Sequence, residues 1–300
     1  MLSPVVFFLP FYHIFGLGLM LLKILQGATI AHLPKFDPIV FLTALQTIKP
    51  WELALVPPVG LFLAKNPVVA NFDLSSIKWI LNGAAPLPEE VGLGLRNRIK
   101  GVNVTQGYGL TETVALTTLP SSMEALTSVG VVAPGAQLKI VGKDGKELGA
   151  NEKGEVAVHG ENVMKGYHRN EKETKNALRN GWFYTGDIGY MDENDHLYIV
   201  DRIKELIKVK GLQVAPALLE AQLIKNPRIT DAAVVGVPHE EFGEVPRAYV
   251  VKADPTLTEE DVKKTIADQL AKHNWLEGGV VFVKEIPKSS AGKILRRLLK

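Results

Sequence analysis

The chain has 300 residues, of which 46% are hydrophobic and 22% charged, so it can form one large domain or two ordinary domains with real cores. Its net charge of +2 argues against a general nucleic-acid-binding protein. It contains no cysteine, which excludes disulfides, thiolate metal sites and a cysteine nucleophile.

Residues 1–33 are apolar enough to suggest a signal peptide or a membrane segment. Pro4, Pro10, His13 and Lys23 interrupt them, so no run approaches the roughly 20 apolar residues that cross a bilayer. The basic start and small-residue cleavage site of a signal peptide are not evident either. We therefore expect no membrane span, and we interpret the segment as part of the interior of a larger domain.

Helices and strands are predicted to alternate between residues 36 and 106. Asp37 is placed to cap a helix over Phe36–Lys49, with Pro38 at its first position. The remaining predicted elements are strands at 51–56, 77–81 and 102–106 and a helix at 88–100. This alternation predicts a parallel sheet. Ligands of such sheets bind at the carboxyl ends of strands, so the loops that begin at Asn82 and Gly107 should open on one cleft.

The predicted secondary structure changes from residue 128 onward. Short strands at 136–141, 154–158 and 196–200, a helix at 170–180 and turns at 144–145 and 192–195 predict an antiparallel subdomain. From residue 201 a hairpin to Val214 precedes helices at 216–225 and 258–273 and strands at 232–237, 248–251 and 280–283. The predicted class is α/β. Residues 1–200 form part of a large domain (1–127 α/β, 128–200 β subdomain), and residues 201–300 form an α+β lid.

One motif points to phosphate chemistry. In Gln106–Thr113 (QGYGLTET), a Thr-Glu pair follows a Gly-rich turn. The hydroxyl of Thr111 can donate to a phosphate, and the carboxylate of Glu112 can bind Mg²⁺, which prefers few protein ligands plus phosphate oxygens. Because Gly-Tyr-Gly turns are common, an ordinary loop is the alternative.

Four further motifs occur in order: NGAAPL (82–87), GWFYTGD (181–187), DRIKELIKVKGLQ (201–213) and PKSSAGKILRR (287–297). From Leu9 to Arg297, the chain resembles the adenylate-forming acyl-CoA synthetase family, most of all its 4-coumarate–CoA ligases and beetle luciferases. That family opens its ATP site with a Ser/Thr/Gly-rich loop ending in Pro-Lys-Gly, and no such run exists in this sequence. We therefore expect the chain to correspond to the C-terminal part of such an enzyme, a fragment lacking the N-terminal phosphate-binding loop.

The resemblance implies an acid–thiol ligase that uses ATP and Mg²⁺ to make an acyl-AMP and passes the acyl group to coenzyme A. Its cytoplasmic or peroxisomal location would follow from the absence of a visible targeting signal. Luciferase-like oxidation of the adenylate is an alternative within the family. A non-catalytic nucleotide- or acyl-binding fragment, or a pseudoenzyme, is the alternative from another class.

Adenylation brings two anions together, so cations should dominate the site. By resemblance, Lys293 bridges the substrate carboxylate and the α-phosphate, whereas Arg296 and Arg297 are given no role beyond a solvated basic face. The resemblance assigns Asp187 to the ribose hydroxyls and Arg202 to ribose and phosphate; for Asp187 the alternative is an ordinary turn or cap.

The stretch from Arg202 to Gln213 lies within the predicted hairpin, and its lysines alternate with apolar residues as they would on a strand. Lys204, Lys208 and Lys210 would then share one face; a solvated edge strand would look the same. By resemblance, Lys204 is the pivot of the lid, and Lys208 and Gln213 approach the acyl-adenylate. The pair Lys210-Gly211 approaches coenzyme A.

The other expected site residues also come from the resemblance. His13 lies among aromatic residues and is either a core residue or a border of the acyl group and the coenzyme A approach, and Lys35 is expected near coenzyme A phosphates. The nucleotide-binding set is Gly83, Ala84, Ala85, Gln106, Gly107, Tyr108, Gly109 and Thr111; the acyl-pocket set is Tyr12, Phe15, Gly83, Gly107, Val114 and Ala115. Residues 113–118 (TVALTT) lack the Gly and Pro usual in coumarate ligases, so aromatic, medium-chain and long-chain acids all stay open.

Overall fold

The computed structural model describes residues 3–114, 116–120, 126–289 and 291–299. The chain divides into two compact units. The first comprises Met1–Thr185, Gly189–Ile199 and Ser290–Gly292, and the second Gly186–Ile188, Val200–Ser289 and Lys293–Lys300. Within the described residues, every helix is too short or too polar to cross a bilayer.

The first unit begins with a parallel α/β layer. Its strands are β1 (Val5–Phe7), β2 (Ile30–His32), β3 (Glu52–Leu55), β4 (Trp79–Asn82) and β5 (Asn103–Gln106), and its helices are α1 (Ile14–Leu25), α2 (Pro38–Ile48), α3 (Pro57–Lys65) and α4 (Glu89–Arg98). Strand β1 pairs with β2, and β3, β4 and β5 form a sheet in that order, all parallel. The predicted parallel sheet is confirmed, and the carboxyl ends of β4 and β5 lie side by side.

Helix α2 shows why the sequence was informative here. The carboxylate of Asp37 accepts hydrogen bonds from the amides of Ile39 and Val40, and Pro38 occupies the first turn, where its missing N–H costs nothing. The helix ends at Lys49, whose φ of 53° is left-handed. Helices α1 and α3 were not predicted, because both are apolar on most faces and their residues do not follow a clear helical period.

Residues 118–202 form mainly antiparallel strands, of which Gly186–Ile188 and Val200–Arg202 count with the second unit. Strands β6 (Thr118–Leu119) and β7 (Val131–Val132) form a ribbon, and a larger sheet contains β8 (Ala136–Val141), β9 (Gly154–Gly160), β10 (Leu178–Arg179), β11 (Trp182–Met191) and β12 (Leu197–Arg202), with helix α5 (Glu171–Ala177) before β10. The order is β10-β11-β9-β8, and β12 also pairs with β11. Strand β11 was not predicted as a strand. Its alternate buried positions include Thr185 and Asp187, so hydrophobicity does not alternate along it.

The second unit is α+β, as its sequence pattern predicted. It contains β13 (Ile207–Val209), β14 (Leu212–Val214), α6 (Pro216–Ile224), β15 (Ile229–His239), β16 (Gly243–Lys252), α7 (Glu259–Ala267) and β17 (Val280–Phe282). The sheet order is β14-β13-β16-β15, and β17 adds to β16 in parallel. Helix α7 ends earlier than predicted, since a separate 3₁₀ turn spans Lys272–Asn274.

The predicted hairpin to Val214 is confirmed as β13 and β14, but the shared strand face expected for Lys204, Lys208 and Lys210 is wrong. Strand β12 ends at Arg202, a turn follows, and β13 is only three residues long before the hairpin turn at Lys210-Gly211. Lys204 therefore lies in a turn and does not share a strand face with Lys208. The alternating pattern misled because Ile207 and Val209 are buried around exposed Lys208, whereas Ile203, which continues the same alternation, is exposed.

Candidate functional site

The loops after β4 and β5 are joined by buried amide side chains. Asn82 and Gln106, 1% and 3% exposed, are register partners at the ends of these strands. The Gln106 side chain donates to the carbonyl of Leu126 (2.5 Å) and accepts from the amide of Leu87 (2.7 Å) and from Asn82 Nδ2 (3.2 Å). Gln106, expected to contact nucleotide, thus holds three chain segments together, and the loops at Gly83 and Gly107 lie side by side as predicted.

Gly83 and Phe15 also come together. A Cβ on Gly83 would lie 2.7 Å from Cζ of the Phe15 ring, so only glycine lets this backbone lie on the ring. Ala84 follows with a left-handed φ of 70°, which turns the loop sharply. Two predicted acyl-pocket residues therefore form one surface with the predicted nucleotide loop, whereas Tyr12, also predicted for that pocket, is 82% exposed.

Thr111 and Glu112 lie on a turn that buried threonines hold in place. The amide of Leu110 donates to Thr113 Oγ1 (3.0 Å), and Thr117 Oγ1 donates to the same oxygen (2.9 Å). Thr113 and Thr117 are fully buried, whereas Thr111 is exposed and Glu112 partly exposed. The turn therefore presents one hydroxyl and one carboxylate next to the ends of two parallel strands.

Glu112 has the surroundings of a single-carboxylate metal ligand. Its Oε1 accepts from the hydroxyl of Tyr167 (2.9 Å), and its carbonyl accepts from the amide of Met164 (2.8 Å), which together orient the side chain. Groups of three or more metal-ligating side chains do not occur among the described residues. One oriented carboxylate fits Mg²⁺, which takes most of its ligands from phosphate and water. Tyr167 was missed, since nothing local in the sequence relates it to Glu112.

The other predicted residues of the first unit differ in their surroundings. Tyr108 is 9% exposed and packs in a core cluster with Val129, Ile140, Val156, Val158 and Leu197, so its ring is largely committed to the β subdomain. Val114 is 62% exposed with a left-handed φ of 46°, and Ala115 lies outside the described residues. Lys35 is exposed.

His13 is the N-cap of α1. Its Nδ1 accepts a hydrogen bond from the amide of Phe15 (3.2 Å), which places the proton of the neutral ring on Nε2. The imidazole is half-buried. The same contact that caps the helix thus fixes the histidine beside Phe15.

In the second unit, Asp187 and Arg202 are paired with each other. Arg202 Nε donates to Asp187 Oδ1 (3.0 Å); the carboxylate side chain is 8% exposed and the guanidinium side chain 52%. The pair therefore places a buried carboxylate against a half-exposed guanidinium.

The hairpin of β13 and β14 places Lys208 opposite Gln213 as register partners, both exposed. Its two-residue turn has left-handed φ values of 49° at Lys210 and 83° at Gly211, the conformation that tight hairpins need. Lys210 Nζ lies 3.1 Å from Glu241 Oε1 and 3.9 Å from the centre of the Phe242 ring.

Lys293 is exposed on a short hairpin. Its amide donates to Ser289 Oγ (3.1 Å), and its carbonyl accepts from the amide of Ser289 (2.8 Å). On the far side of this contact, Lys288 is anchored on β15 by an ion pair with Asp231 (2.5 Å). The hairpin is therefore fixed at its base while the Lys293 side chain stays accessible.

Arg296 was expected to have no role, yet it is the most heavily paired residue of this region. Its side chain is 16% exposed and contacts Glu220 and Glu205. Burial raises the pKa of Glu220 to about 7, although the neighbouring Arg296 acts to lower it. Burial likewise raises the pKa of Asp201, opposed by the amides of Ala217 and Arg202. Glu205 and Glu220 are too distant from Arg296 in sequence for a local pattern to reveal these ion pairs.

Comparison with known proteins places these features in context. The family model for AMP-binding enzymes matches residues 3–168, and the model for the AMP-binding enzyme C-terminal domain matches residues 218–293. Probable 4-coumarate–CoA ligase 1 of Dictyostelium discoideum is 45% identical over 298 residues, which cover 97% of this chain and 54% of that protein. The chain thus spans about half the length of the curated relatives it matches.

Solved structures give the same family. ATP-bound MatB from Rhodopseudomonas palustris superposes with a TM-score of 0.88 at 30% identity, covering 99% of this chain and 59% of that one. o-Succinylbenzoate CoA synthetase from Bacillus subtilis, in complex with an acyl-adenylate intermediate, gives a TM-score of 0.85 at 30% identity, covering 99% and 60%.

Proposed function

This chain belongs to the AMP-binding enzyme family, and we propose that it carries the chemistry of an acid–thiol ligase, which activates a carboxylic acid as acyl-AMP and transfers the acyl group to coenzyme A. The observation that carries the proposal is the turn at Thr111 and Glu112. Buried threonines hold a hydroxyl and a carboxylate at the carboxyl ends of parallel strands, where such sheets bind ligands.

The nucleotide is proposed to bind through the loops at 83–85 and 106–109. The hydroxyl of Thr111 would donate to the α-phosphate, and the Asp187–Arg202 pair would hold the ribose and its phosphate. Glu112, oriented by Tyr167, would hold Mg²⁺, which when bound neutralises phosphate charge. Tyr108, which is largely buried, would contribute its backbone rather than an exposed ring.

Lys293 is proposed as the cation of the adenylation step. An oxygen of the substrate carboxylate attacks the α-phosphorus of ATP, and the bond from that phosphorus to the bridging oxygen breaks, releasing pyrophosphate. The exposed ammonium of Lys293 would attract both the carboxylate and the α-phosphate and lower the repulsion between them. No proton transfer is needed in this step.

Thioester formation involves a different set of residues in this proposal. The thiol of coenzyme A releases its proton to solvent, its sulfur attacks the acyl carbon, and the carbon–oxygen bond breaks so that AMP leaves with the electron pair. Lys208 and Gln213, register partners on one hairpin, would contact the acyl-adenylate. Lys210-Gly211, His13 and Lys35 would contact coenzyme A, and Lys204 would be the pivot of the lid; Lys210 would exchange Glu241 for a phosphate.

The acid is proposed to be an aromatic carboxylic acid. The tip of the Phe15 ring meets the backbone of Gly83, so an aromatic side chain borders the proposed nucleotide loop, and the named relatives are 4-coumarate–CoA ligases. Gly107, Val114, Tyr12 and Ala115 complete the proposed pocket. The unusual segment TVALTT leaves the ring substituents to experiment.

The test joins this chain to the part of the Dictyostelium discoideum ligase that it does not match. We expect this chimera to form acyl-CoA from ATP, Mg²⁺, coenzyme A and an acid from a panel of cinnamic, benzoic and fatty acids. The 300-residue chain alone should bind a non-hydrolysable acyl-AMP analogue, measured by calorimetry, but show little turnover, because it lacks the Pro-Lys-Gly loop for the β- and γ-phosphates. A folded chimera inactive on the whole panel, together with no analogue binding by the chain, would overturn the proposal.

A further inference from the structure

Arg296 links three separate segments of the second unit. Its NH2 atom lies 2.7 and 2.8 Å from the two carboxylate oxygens of Glu220 on α6, and its NH1 atom lies 2.5 Å from Glu205 Oε2. Its Nε donates to the carbonyl of Val234 on β15 (3.2 Å). Each of the three guanidinium nitrogens therefore has an acceptor within hydrogen-bond distance.

Glu220 closes this arrangement on the sheet. Its Oε1 accepts from the amide of Val234 (2.8 Å), the residue whose carbonyl accepts from Arg296. The Glu220 side chain is only 12% exposed, so the ion pair lies where solvent screens it poorly. The contact fixes the position of Arg296 on both α6 and β15.

The third arm reaches the turn between β12 and β13. The amides of Glu205 and Leu206 donate to the carbonyl of Arg202, so Glu205 belongs to the same turn as Lys204. Buried Asp201 precedes the turn and accepts from the amides of Arg202 (2.7 Å) and Ala217 (2.9 Å). The charged side chains of Arg296, Glu205, Glu220 and Asp201 therefore lie close enough to interact electrostatically.

Arg296 also continues directly from the hairpin that carries Lys293. The amide of Leu295 donates to the carbonyl of Pro287 (2.8 Å), and Lys288 is paired with Asp231 on β15. The Lys293 hairpin, meaning residues 287–289 and 293–295, is thus held at one end by Lys288 and at the other by Arg296. Ile286, Ile294 and Leu299 pack below it against Ala233 and Val235.

We propose that Arg296 is a positioning residue that joins the Lys293 hairpin and the 202–206 turn into one rigid piece, so that Lys293, Lys204 and Arg202 keep fixed mutual positions. The catalytic consequence rests on the proposed function, whereas the mechanical claim does not. A buried ion pair is a poor device for stability alone, because apolar residues of similar volume often serve as well or better. Its directional bonds are suited to fixing two segments relative to each other.

The mechanical test uses hydrogen exchange of the 300-residue chain, measured by mass spectrometry for wild type, Arg296→Met, Glu205→Ala and Arg297→Met. We expect Arg296→Met to speed exchange about ten-fold or more in both the Lys293 hairpin and the 202–206 turn, with the centres of β15 and β16 unchanged. Glu205→Ala removes only the third arm, so it should loosen the turn and leave the hairpin protected. Arg297→Met changes an exposed neighbour and should resemble wild type.

Two results would overturn the proposal. One is an Arg296→Met protein whose two segments exchange at wild-type rates. The other is uniform acceleration throughout the second unit, which a purely stabilising role predicts. If Arg296→Met does not fold, as judged by circular dichroism, Glu205→Ala decides alone, because it leaves the ion pair between Arg296 and Glu220 intact. A 202–206 turn that stays protected in Glu205→Ala would then contradict the claim.

The catalytic test uses the active chimera and a double-mutant cycle. Arg296→Met should lower kcat of adenylation about 10- to 100-fold with little change in KM, because Lys293 is misplaced rather than lost. In a Lys293→Ala background the same change should have a much smaller effect, since only the contribution of the turn with Arg202 remains. Equal losses in both backgrounds would refute the positioning role. A Lys293→Ala chimera with full activity would instead refute the proposed function.

Discussion

The two units hold their candidate site residues with different chemistry. In the first unit, neutral groups do this: Gln106 and Asn82 join the strand-end loops, and Thr113 and Thr117 hold the Thr111 turn. In the second unit, a charged group does it, since the guanidinium of Arg296 joins α6, β15 and the 202–206 turn. Both arrangements are largely buried, whereas Thr111 in the first unit and Lys293 in the second are exposed.

The difference has a physical reason. The residues of the first unit are proposed to face the phosphates of ATP, and buried neutral amides and hydroxyls can hold a loop there without adding a negative charge that would repel the ligand. The second unit presents exposed cations, and its buried carboxylates of Glu220 and Asp201 contact Arg296 or backbone amides. Neutral and charged supports should therefore respond differently to substitution and to pH.

The largest effect on activity should come from replacing Lys293, the proposed cation of the adenylation step. Lys293→Ala in the chimera should reduce adenylation on the order of 10²–10³-fold, the usual effect of removing one group that stabilises developing charge. Thioester formation from supplied acyl-AMP should survive. Pyrophosphate exchange measures the first step and acyl-CoA release from acyl-AMP the second. Arg297→Met, on the same basic tail, is the matched control; equal losses in both steps would sink the assigned role.

Replacing the neutral support should damage stability rather than one step. Gln106→Leu leaves the carbonyl of Leu126 and the amide of Leu87 without their side-chain partner and removes one of the two contacts of Asn82 Nδ2, so the free energy of unfolding should fall by about 2–3 kcal/mol. Urea unfolding of the 300-residue chain measures this, with the exposed Gln137→Leu as control. A loss no larger than that of the control would show that Gln106 is not the support.

Local signals predicted the fold where the residues that form an element are neighbours in sequence. The Asp37–Pro38 pair marked α2, and alternating strands and helices marked the parallel sheet. Strand β11 escaped because Thr185 and Asp187 occupy buried positions that hydrophobic alternation reserves for apolar residues. The turn after Arg202 escaped because the alternation of lysine and isoleucine continues through it.

The same limit applies to the candidate site. Motif resemblance named the exposed groups, such as Thr111, Glu112 and Lys293, but not the residues that hold them. Arg296 is 91 residues from Glu205 and 76 from Glu220, and Tyr167 is 55 residues from Glu112. Contacts over such separations depend on packing of the whole unit, and a single sequence carries no local trace of them.

A smaller effect is expected in the pH dependence of stability, to which Glu220, the carboxylate partner of Arg296, should contribute. The pKa of Glu220 is raised by burial from 4.5 to about 7, so the folded state binds its proton more tightly than the unfolded state. The contribution of this group to stability is therefore fully present below pH 4.5 and is lost as the pH rises through 7. Wild type should lose roughly 1 kcal/mol per pH unit relative to Glu220→Gln within that window.

Urea unfolding between pH 5 and pH 8 measures this difference, and Glu240→Gln, which removes an exposed carboxylate, is the control. A difference between wild type and Glu220→Gln that stays constant over this range would mean that Glu220 remains ionised beside Arg296. The difference in free energy of unfolding between wild type and Gln106→Leu should not change with pH in this way, because the groups that Gln106 contacts do not titrate.

The smallest effect concerns the 202–206 turn. Lys204 is exposed there, whereas Arg202 is paired with Asp187, so limited trypsin digestion should cut first after Lys204. Lys204→Gln should remove that cut. Glu205→Ala should speed it a few-fold, roughly what the loss of one partly exposed ion pair allows. Because Gln106→Leu acts on the other unit, it should leave the rate of this cut unchanged in protein that is still folded. A cut that responds to Gln106→Leu but not to Glu205→Ala would mean that the turn follows the stability of the first unit and that the charged support does not hold it.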